Sequence, residues 1–283
     1  MNRNKYKITI CMPHWQVKHY ISLCLRSINK CSKKYNIQVI VVDNGSKDES
    51  LEYLRSLDWI LLLERPKETH TNWPLNVFTA WDYGLKHATG DYYVTMHTDV
   101  FVKAEDWLDP MLDEINSSPD VGAAGAWKLH IENPVYHFQK RMIHYMVKKV
   151  RQAAGRKKHV EWKAGHYPRD YCAMYRKDVI LDNNLRFTLI QGAEGGLGRG
   201  GGYSIATQIW NAGYKTRMIP VEEMRSKIVH IAHGTAAVRK EKPLRYRRKQ
   251  KKLEARTKKF LSQKWIKELE TQDFLDHKKK LNL

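Results

Sequence analysis

No stretch of the 283-residue chain approaches the roughly 18 consecutive apolar residues that a membrane-crossing helix needs. Trp59-Ile-Leu-Leu-Leu63 is among the longest apolar runs and has the length of a buried strand. A membrane span is therefore excluded from this reading. The run Lys7–Met12 is too short for the apolar core of an export signal and meets Pro13, so a cytoplasmic location is expected. Cysteine is scarce. Cys11, Cys24, Cys31 and Cys172 form no CxxC pair and no metal-finger spacing, which reads as reduced, mostly structural thiols.

Acids are also in deficit, with 30 Asp and Glu against 50 Lys and Arg, a formal charge of +20. Residues 138–170 carry net +8 and residues 239–283 net +11, which leaves the rest of the chain near neutral at +1. The basic character thus belongs to two segments. A nucleic-acid-binding domain usually carries its basic patch on the folded surface that docks, so nucleic acid is not the expected partner of the whole fold. Disorder is excluded by 11% aromatic residues and nine Trp, which would not be left solvated.

Strand and helix signals alternate four times in the first half. Lys7–Met12 is a β-branched run, followed by Ile21, Cys24, Leu25 and Ile28 at helical spacing. Gln38–Asp43 is a continuous apolar run of the kind buried on both faces of a parallel sheet. Ser46-Lys-Asp-Glu49 reads as a capping box opening a helix through Leu51 and Leu54. Trp59–Leu63 is expected as a third strand. A helix with Val77, Ala80, Trp81 and Leu85 on one face follows, with Trp73 and Trp81 expected in the core, and Asp91–Met96 is a fourth strand. Such order implies an open α/β domain with a mostly parallel sheet between helices. Later segments predict a helix over Trp107–Ile115, a strand at Val121–Trp127, a strand near Tyr171–Tyr175, a helix through Ala206–Asn211 and a strand ending at Pro220.

Ligands of open parallel sheets bind beyond the carboxyl ends of the strands. Two acids stand there, Asp43 after Val41-Val42 and Asp99 in Thr95-Met-His-Thr-Asp99. The first suits hydrogen bonds from a base or ribose; the second suits a hard divalent cation, whose shell phosphate oxygens and water can complete.

At these residues the chain resembles the family 2 glycosyltransferases of GT-A fold. The resemblance rests on Cys11-Met-Pro-His-Trp15, Val41-Val-Asp-Asn-Gly-Ser46, Gly84-Leu-Lys-His-Ala-Thr-Gly-Asp91 and His97-Thr-Asp99, collinear over about residues 6–128. It returns weakly at Asn211-Ala-Gly-Tyr-Lys215. What it implies is a GT-A-like α/β domain over 1–238, divided into a nucleotide-binding half at about 1–128 and an acceptor-side half at 129–238 with the basic insert, and then a basic helical tail, 239–283. It implies transfer of a sugar from a nucleotide-diphosphate donor such as a UDP-sugar to a glycan or lipid-linked acceptor, in polysaccharide synthesis. Pro13, His14 and Asp43 would lie near the nucleotide. Asp99 would hold Mn²⁺ or Mg²⁺ bridging the diphosphate, with His97 and the late His233 as further ligands.

Two positions depart from the family pattern. His97 replaces the first acid of the metal motif, so either Asp99 carries the metal alone or the expected cation shifts towards Mn²⁺. The family's usual acid, about twelve residues before a Gly-Tyr, is replaced by Gly201-Gly202. An inverting transferase needs a carboxylate to take the acceptor proton. Glu194 is the nearest substitute, and Asp170 the second. Gly196-Leu-Gly-Arg-Gly-Gly201 satisfies GxGxxG but lies too late for a dinucleotide fingerprint; an acceptor-side lid is expected there instead.

Two other classes stand beside this reading. In a nucleic-acid or ribosome-associated binder, Arg245–Lys252 would grip phosphates on an α/β scaffold. A sugar nucleotidyltransferase would want a Gly-rich, Arg-containing loop after the first strand, which Pro13-His-Trp is not. The basic segments are expected at an anionic membrane surface. Leu253, Phe260, Leu261 and Trp265 of the tail would be the anchor, and the insert, through Met142, Ile143, Tyr145, Met146 and Val147, a second contact. The competing expectation is a tail packed back on the domain.

Overall fold

The computed structural model describes residues 3–65, 73–129, 134–155, 167–188, 201–232, 234 and 250–277. The first half follows the expected alternation as β1 (Lys7–His14), α1 (Lys18–Cys31), β2 (Asn36–Asp43), α2 (Ser50–Arg55), β3 (Ile60–Glu64), α3 (Trp73–Leu85) and β4 (Tyr92–Met96). The chain continues through β5 (Val100–Val102), α4 (Asp109–Ile115), β6 (Val121–Ala126), α5 (Pro134–Ala153), β7 (Cys172–Arg176) and α6 (Lys177–Asp182). Then come α7 (Gly202–Asn211), β8 (Lys215–Ile219), α8 (Val221–Lys227), β9 (Ile228–His230), α9 (Gln250–Leu261), α10 (Lys264–Glu270) and a 3₁₀ turn at Asp273–Asp276.

Seven strands form one sheet in the order β3-β2-β1-β4-β7-β6-β8, and β5 pairs with β9 in a separate ribbon. All pairings in the large sheet are parallel except those of β7, which runs antiparallel to both β4 and β6. The order reverses direction between β1 and β4. That switch point opens a crevice beyond their carboxyl ends. Apolar side chains cover both faces of the sheet: one cluster gathers α1, α4 and the β5–β9 ribbon, and the other gathers α3, α6 and α7. Burial on both faces explains why β2 reads as an unbroken apolar run.

The Gly-Leu-x-x-Ala-x-Gly-Asp segment has a packing origin. A Cβ on Gly84 would meet Cys11 Sγ at 2.4 Å, so the glycine lets α3 lie close on β1. A Cβ on Gly90 would meet backbone atoms of Lys7, Ile8 and Thr9 at 2.6–2.8 Å. Asp91 closes the same turn, its N–H donating to Lys7 O at 2.7 Å. These residues place β4 beside β1 and do not line the crevice. The four cysteines are buried free thiols, and burial pushes Cys11 and Cys172 up to about 12.

The expected capping box at Ser46–Glu49 is not formed. Helix α2 begins at Ser50 without a side-chain cap from Ser46, whose hydroxyl instead donates to Asp43. The tail also departs from its expectation as a membrane anchor. Phe260 is buried, its ring 4.5 Å from Phe101, and Ile266, Leu269 and Leu275 join the same core. Asp276 accepts from Arg26 Nε at 2.8 Å, Arg26 Nη2 at 2.6 Å and Tyr53 Oη at 2.7 Å, while Trp59 Nε1 donates to its carbonyl. The apolar face of the tail therefore belongs to the domain, as the competing expectation had it.

This anchor gives a stability prediction. Arg26 and Asp276 side chains are only 13% and 14% exposed, so Asp276→Ala removes the carboxylate from a guanidinium left with only the Leu269 and Glu270 carbonyls, and from the Tyr53 phenol. Urea unfolding of the variant is expected to show a loss of about 3 kcal/mol; a loss within error of zero would mean that the tail is not held by this contact.

Candidate active site

Strand β4 ends at Met96, and residues 97–99 turn the chain into β5, so Asp99 stands in this turn rather than in the strand. His97 N–H donates to Tyr171 O and Val100 N–H to His97 O, which fixes the turn against the lead-in to β7. The β5–β9 register pairs Val100 with His230. That pairing brings a residue 131 positions later in sequence beside Asp99: His230 Nε2 lies 3.5 Å and His97 Nδ1 3.9 Å from Asp99 Oδ1. Gly234 N–H donates to Asp99 Oδ2 at 3.0 Å. One ligand atom each from His97, Asp99 and His230 lie within 4.8 Å of one another.

Each imidazole rests on an aromatic ring. His97 stacks on Trp81 at 5.6 Å between centroids, and Trp81 Nε1 is held by Cys11 O. His230 stacks on Tyr171 at 4.3 Å, and Tyr171 Oη donates to Trp127 O. Trp81 is thus core, as expected, and also the platform for His97; the side chain of Trp73 lies outside the described residues. Burial alone would raise the Asp99 carboxyl. The His230 imidazole 3.5 Å away, the His97 imidazole and the Gly234 N–H outweigh it and hold Asp99 below the usual carboxylate range. Burial holds His97 below the usual imidazole range against the attraction of Asp170 and Asp99.

The donor chemistry fits a divalent cation. A buried, ionised carboxylate stands with two imidazoles in reach, and His97 Nε2 has no hydrogen-bond partner among the described residues. A mixed nitrogen and oxygen set suits Mn²⁺ better than the all-oxygen shell Mg²⁺ prefers. The late ligand expected at His233 lies outside the described residues. His230, three residues earlier, is the late histidine that reaches Asp99. Its signal was the β-branched Ile228-Val229 before it, which makes a short strand that can pair with β5.

The Asp43 turn forms the other wall. Asp43 Oδ2 accepts from Gly45 and Ser46 N–H at 2.9 Å each, and Oδ1 accepts from Ser46 Oγ. Asp43 therefore shapes its own turn. His14, expected at the nucleotide, is buried, and its Nε2 lies 2.9 Å from Ser50 Oγ, which itself bonds Asp48. That ring edge is engaged by α2. Pro13 pairs with Val42 beyond the last β1–β4 partner, Cys11–Thr95, so its missing N–H costs β4 nothing.

After β1, Gln16 and Val17 both take left-handed φ, 58° and 69°. For a β-branched residue this is strained. Ser46 Oγ accepts from Gln16 N–H and Asp48 Oδ2 from Val17 N–H, at 2.8 and 2.7 Å, which holds the strained corner against the β2–α2 loop. Arg65 went unremarked in the sequence because a lone arginine after a strand carries no pattern. Its N–H donates to Asp43 O, and its buried guanidinium bonds Asn44, Asn76 and Thr79.

Asp170 lies just before β7, and its Oδ2 accepts from Gly202 N–H at 3.3 Å. It is close enough to act electrostatically on His97. Glu194 and nearly all of the Gly-rich loop lie outside the described residues.

A mostly parallel sheet with an acid and histidine cluster at its switch point is the GT-A architecture of nucleotide-sugar enzymes. The chain belongs to glycosyl transferase family 2, whose sequence pattern matches residues 9–182. It is 30% identical over 107 residues to Glycosyltransferase GlyA of Streptococcus pneumoniae serotype 4, an alignment covering 36% of this chain and 13% of that protein. The mannosyltransferase PcManGT of Pyrobaculum calidifontis, solved with GDP-Man and Mn²⁺, superposes with a TM-score of 0.53 at 17% identity, over 93% of this chain and 72% of that one. Glucosyl-3-phosphoglycerate synthase of Mycobacterium tuberculosis, solved with Mn²⁺, UDP-glucose and phosphoglyceric acid, gives 0.50 at 12% identity, over 91% and 79%. Both share the fold.

The cluster yields a binding prediction independent of catalysis. His230→Ala removes a nitrogen from the set, and Mn²⁺ affinity, read by loss of the free-ion electron paramagnetic resonance signal, is expected to fall about tenfold or more. A variant that retains wild-type Mn²⁺ affinity would remove His230 from the ligand set.

Proposed function

We propose that the protein is a metal-assisted, inverting glycosyltransferase that moves a sugar from a nucleotide-diphosphate donor to a hydroxyl of a glycan or lipid-linked acceptor, in the synthesis of an envelope or surface polysaccharide. The observation that carries the reading is the cluster of Asp99, His97 and His230 at the switch point of a family 2 chain. Asp99, with His97 and His230, would hold the cation; when bound, it would neutralise charge on the departing diphosphate. Solved proteins of the same fold carry GDP-Man or UDP-glucose with Mn²⁺, which supports this class of donor without naming the sugar. The Asp43–Ser46 turn and Pro13 would border the nucleoside.

Asp170 is the base this reading requires. The resemblance sets an acid where the chain has Gly201-Gly202, and the Asp170 carboxylate fills the space such side chains would need. A Cβ on Gly201 would lie 2.7 Å from Asp170 Oδ2, and one on Gly202 3.2 Å from Asp170 Cβ. Gly201 also has φ 67° and ψ −131°, a conformation that suits glycine. The acid is supplied by the lead-in to β7 instead of the start of α7. In the reaction Asp170 takes the acceptor hydroxyl proton as that oxygen bonds the anomeric carbon. The bond from that carbon to the diphosphate breaks, and its electrons leave with the nucleoside diphosphate. Glu194 is the alternative base.

Two measurements test the assignment. Calorimetry of UDP and GDP with and without Mn²⁺ is expected to show metal-dependent binding that Asp99→Asn weakens by orders of magnitude; equal binding by both proteins would sink the metal role of Asp99. Asp170→Asn is expected to keep donor binding but slow transfer by about 10² to 10⁴. Unchanged turnover in Asp170→Asn would move the base to Glu194, where Glu194→Gln repeats the test.

A further inference from the structure

Helix α5 interrupts the chain between β6 and β7, and its twenty residues make it the longest helix among those described. At 1.5 Å per residue it is about 30 Å long. Val135, Phe138, Met142, Met146 and Val150 recur at three- and four-residue steps, the spacing of a single helical face. In a domain helix that face would be covered. Here Val135, Phe138, Ile143, Met146 and Val150 are each 60–68% exposed. Large side chains are left in contact with solvent along the length of the helix, whereas elsewhere among the described residues only Leu61, Leu181 and Phe274 are so exposed, each in a different element.

The charge on the helix selects what could cover this face. Lys140, Arg141, Lys148, Lys149 and Arg151 lie along α5, with no Asp or Glu between Pro134 and Ala153. On the 100° helical step, four of these five cations fall on the arc opposite the apolar stripe. Lys149 is the exception, lying over the Tyr145 ring at 5.8 Å. A helix docking onto another protein gains nothing from a uniform sign opposite its apolar side. A helix lying in a bilayer interface does: the apolar stripe enters the acyl boundary while the cations meet anionic headgroups. We infer that α5 is an interfacial helix that docks the protein reversibly on an anionic lipid surface.

The position of α5 gives docking a consequence. The helix follows the β6 end at Ala126, and the chain re-emerges at Tyr167–Asp170 beside the metal cluster. Residues at the edge of the catalytic crevice thus flank it on both sides in sequence. A lipid surface held by α5 would present its headgroups on the acceptor side. Of the two segments expected at a membrane, the tail is committed to the core through Phe260, Ile266 and Leu269, which leaves α5.

Flotation of the full-length chain on phosphatidylglycerol–phosphatidylcholine vesicles tests this without any substrate, so its failure leaves the transferase reading intact. Wild type is expected to float with these vesicles at low salt, to be released at high salt, and to stay down with phosphatidylcholine alone. Phe138→Glu/Met146→Glu alters two exposed side chains, so folding should be kept, as checked by circular dichroism and by nucleotide binding. Its vesicle affinity is expected to drop about tenfold or more. Equal flotation of variant and wild type would overturn the assignment, as would a wild type that never floats. The same holds if sedimentation shows a wild-type dimer that the double variant dissolves while neither protein binds vesicles, because α5 would then be covered by a second copy.

Discussion

One buried carboxylate ties the two halves of this molecule together. Asp99 sits where β4 gives way to β5, with His97 as its local neighbour. Its other partners come from the far end of the domain, His230 at the end of β9 and the N–H of Gly234. An ionised carboxylate away from water is costly unless it is paired and hydrogen-bonded. The β5–β9 pairing is thus both a structural clasp and the means by which the cluster exists. Trp81 and Tyr171, packed under the two imidazoles, extend the same constraint into both faces of the sheet.

How much of this was legible in the sequence depended on the range of the interactions. β1 to β4 could be read because each is a short apolar run set off by helical repeats or turns, so the pattern is written locally. The motif around Gly84 and Gly90 could be read as well, although its purpose is packing against β1. The antiparallel placement of β7 between β4 and β6 could not, since no local signal states which strand a late segment joins. His230 stood in the expected metal element His230-Ile-Ala-His-Gly234, but its reach to Asp99 was hidden for the same reason. Its role is set by a register with β5, and sequence reasoning put weight on His233 because that residue adjoins a glycine. His14 and Asp43 were located correctly at strand ends, but their hydrogen bonds turn inward to Ser50 and Ser46. A residue's position in a sheet can be inferred from pattern; the use of its polar atoms cannot.

The two basic segments make the same point from composition. Both carry apolar residues at helical spacing among Lys and Arg, and both read as interfacial helices. Tertiary structure separates them. Acids at Asp273 and Asp276, with Arg26, Asn29 and Trp59 to receive the turn, draw the tail onto α1 and β3. Helix α5 has no acid along its length, and its apolar residues remain outside. A few anionic groups with partners waiting on the domain decide whether an amphipathic basic helix closes on its own fold or stays available to another surface.

The loss of an acid at Gly201-Gly202 and the presence of one at Asp170 are best understood as a single feature. Gly201 carries a positive φ that a side chain would strain, and any Cβ there would also collide with the Phe78 ring at 2.3 Å and the Asp170 carboxylate at 2.7 Å. Seen only as sequence, the glycines suggest a site stripped of its base. Seen with the β7 lead-in beside them, they are the clearance in which the Asp170 carboxylate stands, close enough to act on His97. Proton transfer depends on where an oxygen stands and what charge surrounds it, not on which element of the fold supplies it, so in the proposed function a carboxylate from the β7 lead-in can replace one from the start of α7.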